Sequence, residues 1–409
     1  MKILIIGSTG FIGKSIYNFL KRDNDEVVAS TRTLIDFSCL QDDKELVKKL
    51  QDFDVVVNAV GIIAETKTQT FEQMHTIAPI VLFDACRKAR VQKVIHISAL
   101  GTQKGITLYH TSKNRADEYL RASGLDYAIL HPSIVYGDDG KSTALFQALA
   151  MLPLLPIIGD GQQVLQPIAL EDLLVTVKRA IESSDKQIEL DLVGAKSMSY
   201  EELLQGFRTW LGLKPTKSVS VPTFGTDFLG KILDEPTVSS ANIQMLNEGS
   251  VACVEPLKKF LNYTPASMQE RLFCLKSHNA QKLYASLYFM RPLLRLVVAF
   301  VWIWSGVVSA FLYPQPLALE LLHEVGVPVG LDVPLLYLAS FLDISIGIVT
   351  LIGYRLQTML SLQMLVIAVY TLLLSLLAPY HWLHPFGPVL KNLPLLVSIY
   401  ILSRLEKFR

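Results

Sequence analysis

The chain has 409 residues, too many for one ordinary domain, so two or three are expected. A formal net charge of +1 gives no electrostatic reason to expect a nucleic-acid or strongly acidic partner. Four cysteines (Cys39, Cys86, Cys253, Cys274) lie far apart with no CxxC pair, which argues against a zinc site or a disulfide framework and fits a reducing compartment.

The opening run MKILIIG is broken by glycine at once and reads as a strand, not a signal peptide, so the N-terminal region is expected in the cytosol. Through residue 131, short runs rich in Val and Ile (KILIIG, EVVAST, DVVVNAVG, KVIHIS, DYAILHP) alternate with helical patterns near 11–22, 42–51, 70–90 and 110–123. That alternation predicts an α/β fold with a Rossmann-type doubly wound parallel sheet. From 132 to 275 the pattern is more mixed and reads as a small substrate lobe; SYEE, Ser199 to Glu202, fits a capping box opening a helix that ends near Gly212. The expected domains are 1–275 (core about 1–150, lobe about 151–275), a linker at 276–291, and 292–409.

The first strand-to-helix turn carries Gly7, Gly10 and Gly13, recurring every three residues. Glycine permits the tight turn, the close approach of backbone to a pyrophosphate and the packing of helix on sheet, while the helix N-terminus offers free N–H groups. Ser8, Thr9, Phe11 and Ile12 lie in the same turn and are expected to touch the cofactor. The second strand ends VVASTR, where an NAD enzyme usually places Asp or Glu on the ribose 2′-hydroxyl. Arg32 suits a 2′-phosphate instead, so NADP(H) is expected over NAD(H); the other reading is that Arg32 only solvates a loop.

Residues 1–275 resemble the short-chain dehydrogenase/reductase superfamily in its extended or atypical branch. The resemblance rests on the three glycines, IDF at 35–37, NAVG at 58–61, Ser98 after KVIHIS, Tyr109 with Lys113 four residues on, and HPSIVYG at 131–137. The phrase ACRKARVQKVIHISALG is similar to the branch containing the 39 kDa accessory subunit of respiratory complex I. The resemblance implies that Tyr109 is a general acid and that Lys113, on the same helix face, lowers its pKa and holds the nicotinamide ribose. It implies that Ser98 binds the substrate oxygen, that Asp36 lies near the adenine, that Asn58, Ala59, Val60 and Gly61 pass under the cofactor, and that Pro132 and Ile134 to Gly137 line the nicotinamide pocket. No metal is expected. The chain departs from the family pattern in three places: only 11 positions separate Ser98 from Tyr109, His75 stands where relatives often carry Asn, and His131 stands where Arg is common.

Beyond Pro292 the character changes. Leu296–Tyr313 and Leu356–Pro379 carry no charge, and Val333–Tyr354 carries one acid, Asp343, and no base. A span needs about 20 predominantly apolar residues, so these are three candidates; a fourth, Pro388–Ser403, contains Lys391, which can snorkel at a helix end. Lys276, Lys282, Arg291 and Arg295 precede the first span, Arg355 lies between the second and third, and Arg404, Lys407 and Arg409 follow the fourth. The first loop holds Glu320, Glu324 and Asp332 without Lys or Arg, so a multi-pass protein of the inner (cytoplasmic) membrane with both termini in the cytosol is expected. FVWIWSGVVSAFLYP, FLDISIGIVTLIGYR and HPFGPVLKNLPLL resemble the DoxX-like membrane family, which implies an all-α four-helix transmembrane bundle. Asp343 reads either as part of a polar pocket for a quinone-like headgroup or proton, or as a helix–helix contact, with Lys391, Arg355, His381 and His384 as candidate partners. Trp302, Trp304 and Trp382 read as interface or packing residues.

Three functions stay open on these residues. One is a membrane-anchored NAD(P)H-dependent oxidoreductase acting on a lipid-soluble carbonyl or quinone. Another is a non-catalytic nucleotide-binding assembly or sensor protein of a membrane redox complex. The last is a nucleotide-dependent isomerase or epimerase.

Overall fold

A computed structural model describes residues 1–23, 26–224, 226–227, 230, 235, 238–274, 279–385 and 387–407, with backbone alone at 273–274. Lys276 and Arg409, counted above for orientation, and the Cys274 side chain lie outside the described residues; Cys39, Cys86 and Cys253 are free thiols. The chain forms two compact units, Met1–Gly230 with Glu235–Ser286, and Leu287–Arg409.

In the first unit, β1 (Ile3–Ile6), β2 (Val27–Ala29), β3 (Val55–Asn58), β4 (Lys93–Ile97) and β5 (Tyr127–Pro132) enter one sheet. Four short strands follow outside it: β6 (Val135–Tyr136), β7 (Leu155–Ile158), β8 (Val164–Leu165) and β9 (Ile168–Ala169). Then β10 (Ile188–Leu192) closes the edge. The order is β10-β5-β4-β3-β1-β2 and every pairing is parallel. Strands buried on both faces need apolar side chains at every position, which is why β1 reads ILII and β3 reads VVVN. Alternate residues divide between two cores. Ile3, Ile5, Val55 and Val57 pack with α1 (Phe11–Lys21), and Leu4, Ile6 and Val56 pack with α2 (Lys44–Leu50), α3 (Ala78–Ala89) and α4 (Leu108–Ala122).

Strand order reverses around β1, with β2 on one side and β3 on the other, so a crevice opens at their carboxyl ends. The expected helices are present, α3 being extended at its start by a π turn, Glu72–Ile77. α5 (Lys141–Met151), α6 (Leu170–Glu182) and α7 (Tyr200–Trp210) follow, and the capping box forms: Glu202 N donates to Ser199 Oγ at 3.1 Å and Ser199 N donates to Glu202 Oε2 at 2.8 Å.

Among the described residues three helical stretches are long and apolar enough to cross a membrane: Asn279–Leu312, Asp332–Ile352 and Leu356–Leu377. Three of the four expected spans therefore have the length to cross, and the last is shorter. The fourth helix starts only at Asn392, after Lys391, and its 16 residues (Asn392–Lys407) rise about 24 Å against a hydrocarbon core of about 30 Å. Within this unit Met290–Val307 and Asp332–Ile352 meet backbone to backbone. A Cβ on Gly306 would lie 2.5 Å from Ser340 O, and one on Gly347 2.8 Å from Ile303 N. Asp343 accepts from Ser305 Oγ at 3.4 Å, and His381, one expected partner, reaches Glu324 instead. Trp302 is buried and Trp304 and Trp382 are exposed.

Candidate functional site

The glycine-rich turn is built as the spacing predicts. Gly7 has φ +83, and a Cβ there would meet Ala59 C at 2.8 Å. A Cβ on Gly13 would meet Gly7 O at 2.2 Å, so α1 crosses the turn at a distance only glycine allows. Gly10 differs: its Cβ would meet nothing nearer than Gly7 O at 3.4 Å, which leaves the α-carbon facing open space. Gly10 caps α1 without a side-chain cap, so the N–H groups at the helix start keep their donor capacity. Ser8 Oγ donates to Ser30 O at 2.7 Å and ties the turn to the end of β2, while Thr9 is exposed. The Phe11 ring packs under the 137–140 loop, where a Cβ on Gly137 would sit 3.2 Å from it, and Lys14 pairs with Asp139 at 3.2 Å. An open glycine, free helix N–H groups and a crevice at the strand reversal fit a dinucleotide pyrophosphate.

Asn58 is fully buried. Its amide N reaches His96 Nδ1 at 3.1 Å and its Oδ1 accepts from Val60 N at 3.2 Å, so it braces the turn through Ala59, Val60 and Gly61. Asp36 accepts from Ser38 N and Oγ; the Ser38 bonds hold its carboxyl below the ordinary value, with a smaller contribution from Arg32. Pro132 is buried at the end of β5, and Ile134 is half-buried against the lobe core.

Ser98, Tyr109 and Lys113 converge at the end of β4, each on a different partner. Lys113 is 4% exposed and its Nζ donates to Ile97 O at 3.1 Å; desolvation brings its pKa down to about 8, opposed by the charge of Asp117. Tyr109 is half-buried, its ring edge-on to His75 and Phe71, with Lys113 Nζ 5.8 Å from the ring centroid. Desolvation and then the charge of Asp117 push the phenol well above its ordinary value. Lys113, expected to lower it, is not among the groups that shift it. Ser98 Oγ donates to Asp117 Oδ2 at 2.7 Å.

Asp117 and His96 are not marked by any sequence motif, although Tyr109, Lys113 and Asp117 are spaced four and four along one face of α4. Asp117 is fully buried; its Oδ2 receives Ser98 Oγ at 2.7 Å, Thr102 Oγ1 at 3.3 Å and His131 Nε2 at 3.4 Å, and its Oδ1 lies 3.5 Å from His96 Nε2 without a hydrogen bond. Burial alone would raise its pKa; the bond from His131, the electrostatic interactions with the His96 and His131 rings and the Ser98 bond outweigh that and leave it below the ordinary value. His96 must accept from Asn58 at Nδ1, so its proton sits on Nε2, facing Asp117. His75, where relatives carry Asn, accepts Ile62 N–H on Nε2 at 3.0 Å and so donates from Nδ1 to Ser112 Oγ at 3.1 Å. Desolvation, then the Lys113 charge, bring its pKa down to about 2 and keep it neutral. His131 also faces Asp191 at 3.5 Å and Glu189 at 3.7 Å, on the wall of a cavity of about 380 Å³.

Comparison with known proteins agrees with this division. Residues 7–149 match a family model described as NAD(P)H-binding, and residues 299–400 match the DoxX-like family. The chain is 25% identical over 200 residues to the mitochondrial NADH dehydrogenase [ubiquinone] 1 alpha subcomplex subunit 9 of Rattus norvegicus, covering 44% of this chain and 53% of that protein. The chain thus spans about half the length of that relative. It is 22% identical over 246 residues to the ceramide reductase of Caulobacter vibrioides, covering 57% and 77%. Among solved structures, UDP-glucuronic acid 4-epimerase from Bacillus cereus in complex with NAD superposes with a TM-score of 0.53 at 18% identity, covering 71% of this chain and 98% of that one. An NADPH-dependent quinone oxidoreductase from Escherichia coli gives the same TM-score at 16% identity, covering 67% and 100%. At such identities the structures speak for the fold.

The expectation of NADP(H) is corrected by these comparisons, since most of the similar structures, the epimerase and MoeE5 among them, carry NAD. Arg32, the residue that suggested a 2′-phosphate, is exposed on a turn with the Asp36 carboxylate nearby. The chain thus joins a Rossmann-type unit that matches NAD(P)H-binding proteins to a region that matches the DoxX-like family and has helices long and apolar enough to cross a membrane.

Proposed function

We propose that the Rossmann unit holds NAD(H) as a resident group beside a membrane, without net consumption of the dinucleotide, as an assembly or sensor component of a membrane redox system. When bound, the nicotinamide would supply a hydride donor or acceptor. The observation that carries this reading is the closure of the site on itself: the single proton of Ser98 goes to Asp117, and the Lys113 ammonium goes to a backbone carbonyl. Ser98 therefore offers no proton to a substrate oxygen, while the glycine cradle stays open. The similarity to a subunit named for NADH dehydrogenase supports the same reading.

A second reading is reduction of a lipid-soluble carbonyl with Tyr109 as acid, Lys113 on the nicotinamide ribose and Ser98 on the substrate oxygen. The match to a ceramide reductase over 77% of that protein favours it. It requires Ser98 to turn from Asp117 toward the substrate. A membrane tether beside a lipid-dissolved substrate would then raise effective concentration.

Lys282, Arg291 and Arg295 before the first span, against an acidic first loop, favour a cytosolic Rossmann unit. A cytosolic C-terminus needs the shorter last helix to cross as well, which Arg404 and Lys407 at its end favour.

The deciding experiment measures NADH oxidation by the detergent-solubilised chain with ceramide-like ketones and quinones, alongside Tyr109→Phe. The first reading expects stoichiometric binding and no turnover. Turnover that Tyr109→Phe lowers by about 10²-fold or more establishes the second.

A further inference from the structure

Lys113 and Asp117 stand one turn apart on α4, and both are buried. Lys113 Nζ is bonded to Ile97 O and Asp117 Oδ2 to Ser98 Oγ. Those two β4-end residues are consecutive, with α-carbons about 3.8 Å apart, so the two charges are held against neighbouring points of one strand. An ammonium stripped of water needs an anion close by, or it gives up its proton. The groups around Lys113 are Tyr109 and Asp117 on its own helix, His75 on the π turn, His96 and Ile97 on β4, and Gly61 after β3. His75 and His96 are both held neutral in this environment, and the phenol of Tyr109 is protonated, so Asp117 alone among them carries negative charge. Around Asp117 itself stand Ser98, Thr102, His96, His131 and, along α4, Arg121.

We propose that Asp117 is a positioning residue for the dinucleotide site: it keeps the buried Lys113 ammonium charged and fixes the direction of the Ser98 hydroxyl. The carboxylate touches neither dinucleotide nor substrate and acts through these two side chains. This deepens the reading of a nucleotide site at the end of β4, yet it concerns the protein before any nucleotide arrives. Desolvation and the opposing charge of Asp117 set the Lys113 midpoint near pH 8. Without the carboxylate only the desolvation remains.

Competitive acylation of Lys113 across pH, read by mass spectrometry on the detergent-solubilised full chain without added nucleotide, reports the midpoint of its amine. Wild type is expected near pH 8. Asp117→Asn is expected about one pH unit lower, Asp117→Glu close to wild type, and Ser98→Ala unmoved. An unmoved midpoint in Asp117→Asn, or an equal fall in Ser98→Ala, overturns the proposal. Should Asp117→Asn alone fail to fold, Lys113→Met/Asp117→Asn is expected to fold, because the ammonium that required the carboxylate is gone. A double variant no more stable than the single one also overturns it. Labelling needs no nucleotide, so a chain that failed to bind NAD(H) would sink the functional reading and leave this result to stand by itself.

Discussion

A Cβ on Gly13 would lie 2.2 Å from the carbonyl oxygen of Gly7, so the first turn of α1 and the loop before it are in direct backbone contact. Gly13→Ala must displace one of them and is expected to cost about 1–3 kcal/mol, lowering the melting temperature of the Rossmann unit. Gly10→Ala is expected to change stability by less than about 0.5 kcal/mol, since its Cβ meets only a 3.4 Å contact, yet to weaken dinucleotide binding. Thermal melts and a binding titration on the two variants separate architecture from cradle.

The buried His75 predicts a pH dependence whose sign follows from its bonds. Its folded-state pKa of about 2 lies below the ordinary 6.5, so the unfolded chain binds more protons between those values. Stability from this residue is full above pH 6.5 and is lost progressively as pH falls below it. His75→Gln keeps a donor and an acceptor but does not titrate there. The fall in melting temperature from pH 7 to about pH 5 is expected to be smaller in the variant than in wild type; an equal fall in both would show that His75 is not held neutral.

In the membrane unit, Trp302 Nε1 donates to Gln363 Oε1 at 3.0 Å and Gln363 Nε2 donates to Thr350 Oγ1 at 2.6 Å, joining all three spanning helices through buried groups. Gln363→Leu leaves the indole N–H without its acceptor. Polar contacts of this kind are worth about 0.6–1.7 kcal/mol in membranes, so a modest drop in unfolding midpoint in mild detergent is expected. Gly347→Leu, which drives a side chain into the Ile303 backbone, is expected to cost more.

The parts of this molecule that depend on local rules were legible in its sequence. Glycine spacing, apolar strand runs and the Ser199 capping box each act within a few residues, and each forms as expected. Asp117 was not legible, because its meaning comes from Ser98, Thr102 and His96 on the β4 side of the sheet and from His131 on β5. Arg32 misled for a related reason: a guanidinium at the right position suggested a 2′-phosphate, whereas the neighbouring Asp36 and the exposure of the turn emerge only on folding. The fourth span is shorter than its hydropathy suggested, since the apolar run includes Pro388 to Lys391, where the backbone makes turns.

Arg32→Ala is accordingly expected to change NADH affinity by less than about threefold, because an exposed side chain on a turn contributes little to binding a ribose that lacks a second phosphate. A tenfold or larger loss in a titration would return Arg32 to the cofactor site.

The account turns on NAD(H) occupying the glycine cradle of a membrane-associated chain. Isothermal titration of the detergent-solubilised full chain with NADH and with NADPH tests this most directly. One NADH bound per chain, more tightly than NADPH and weakened by Gly10→Asp, is the predicted result. Absence of binding by either nucleotide, or tighter binding of NADPH, would contradict it.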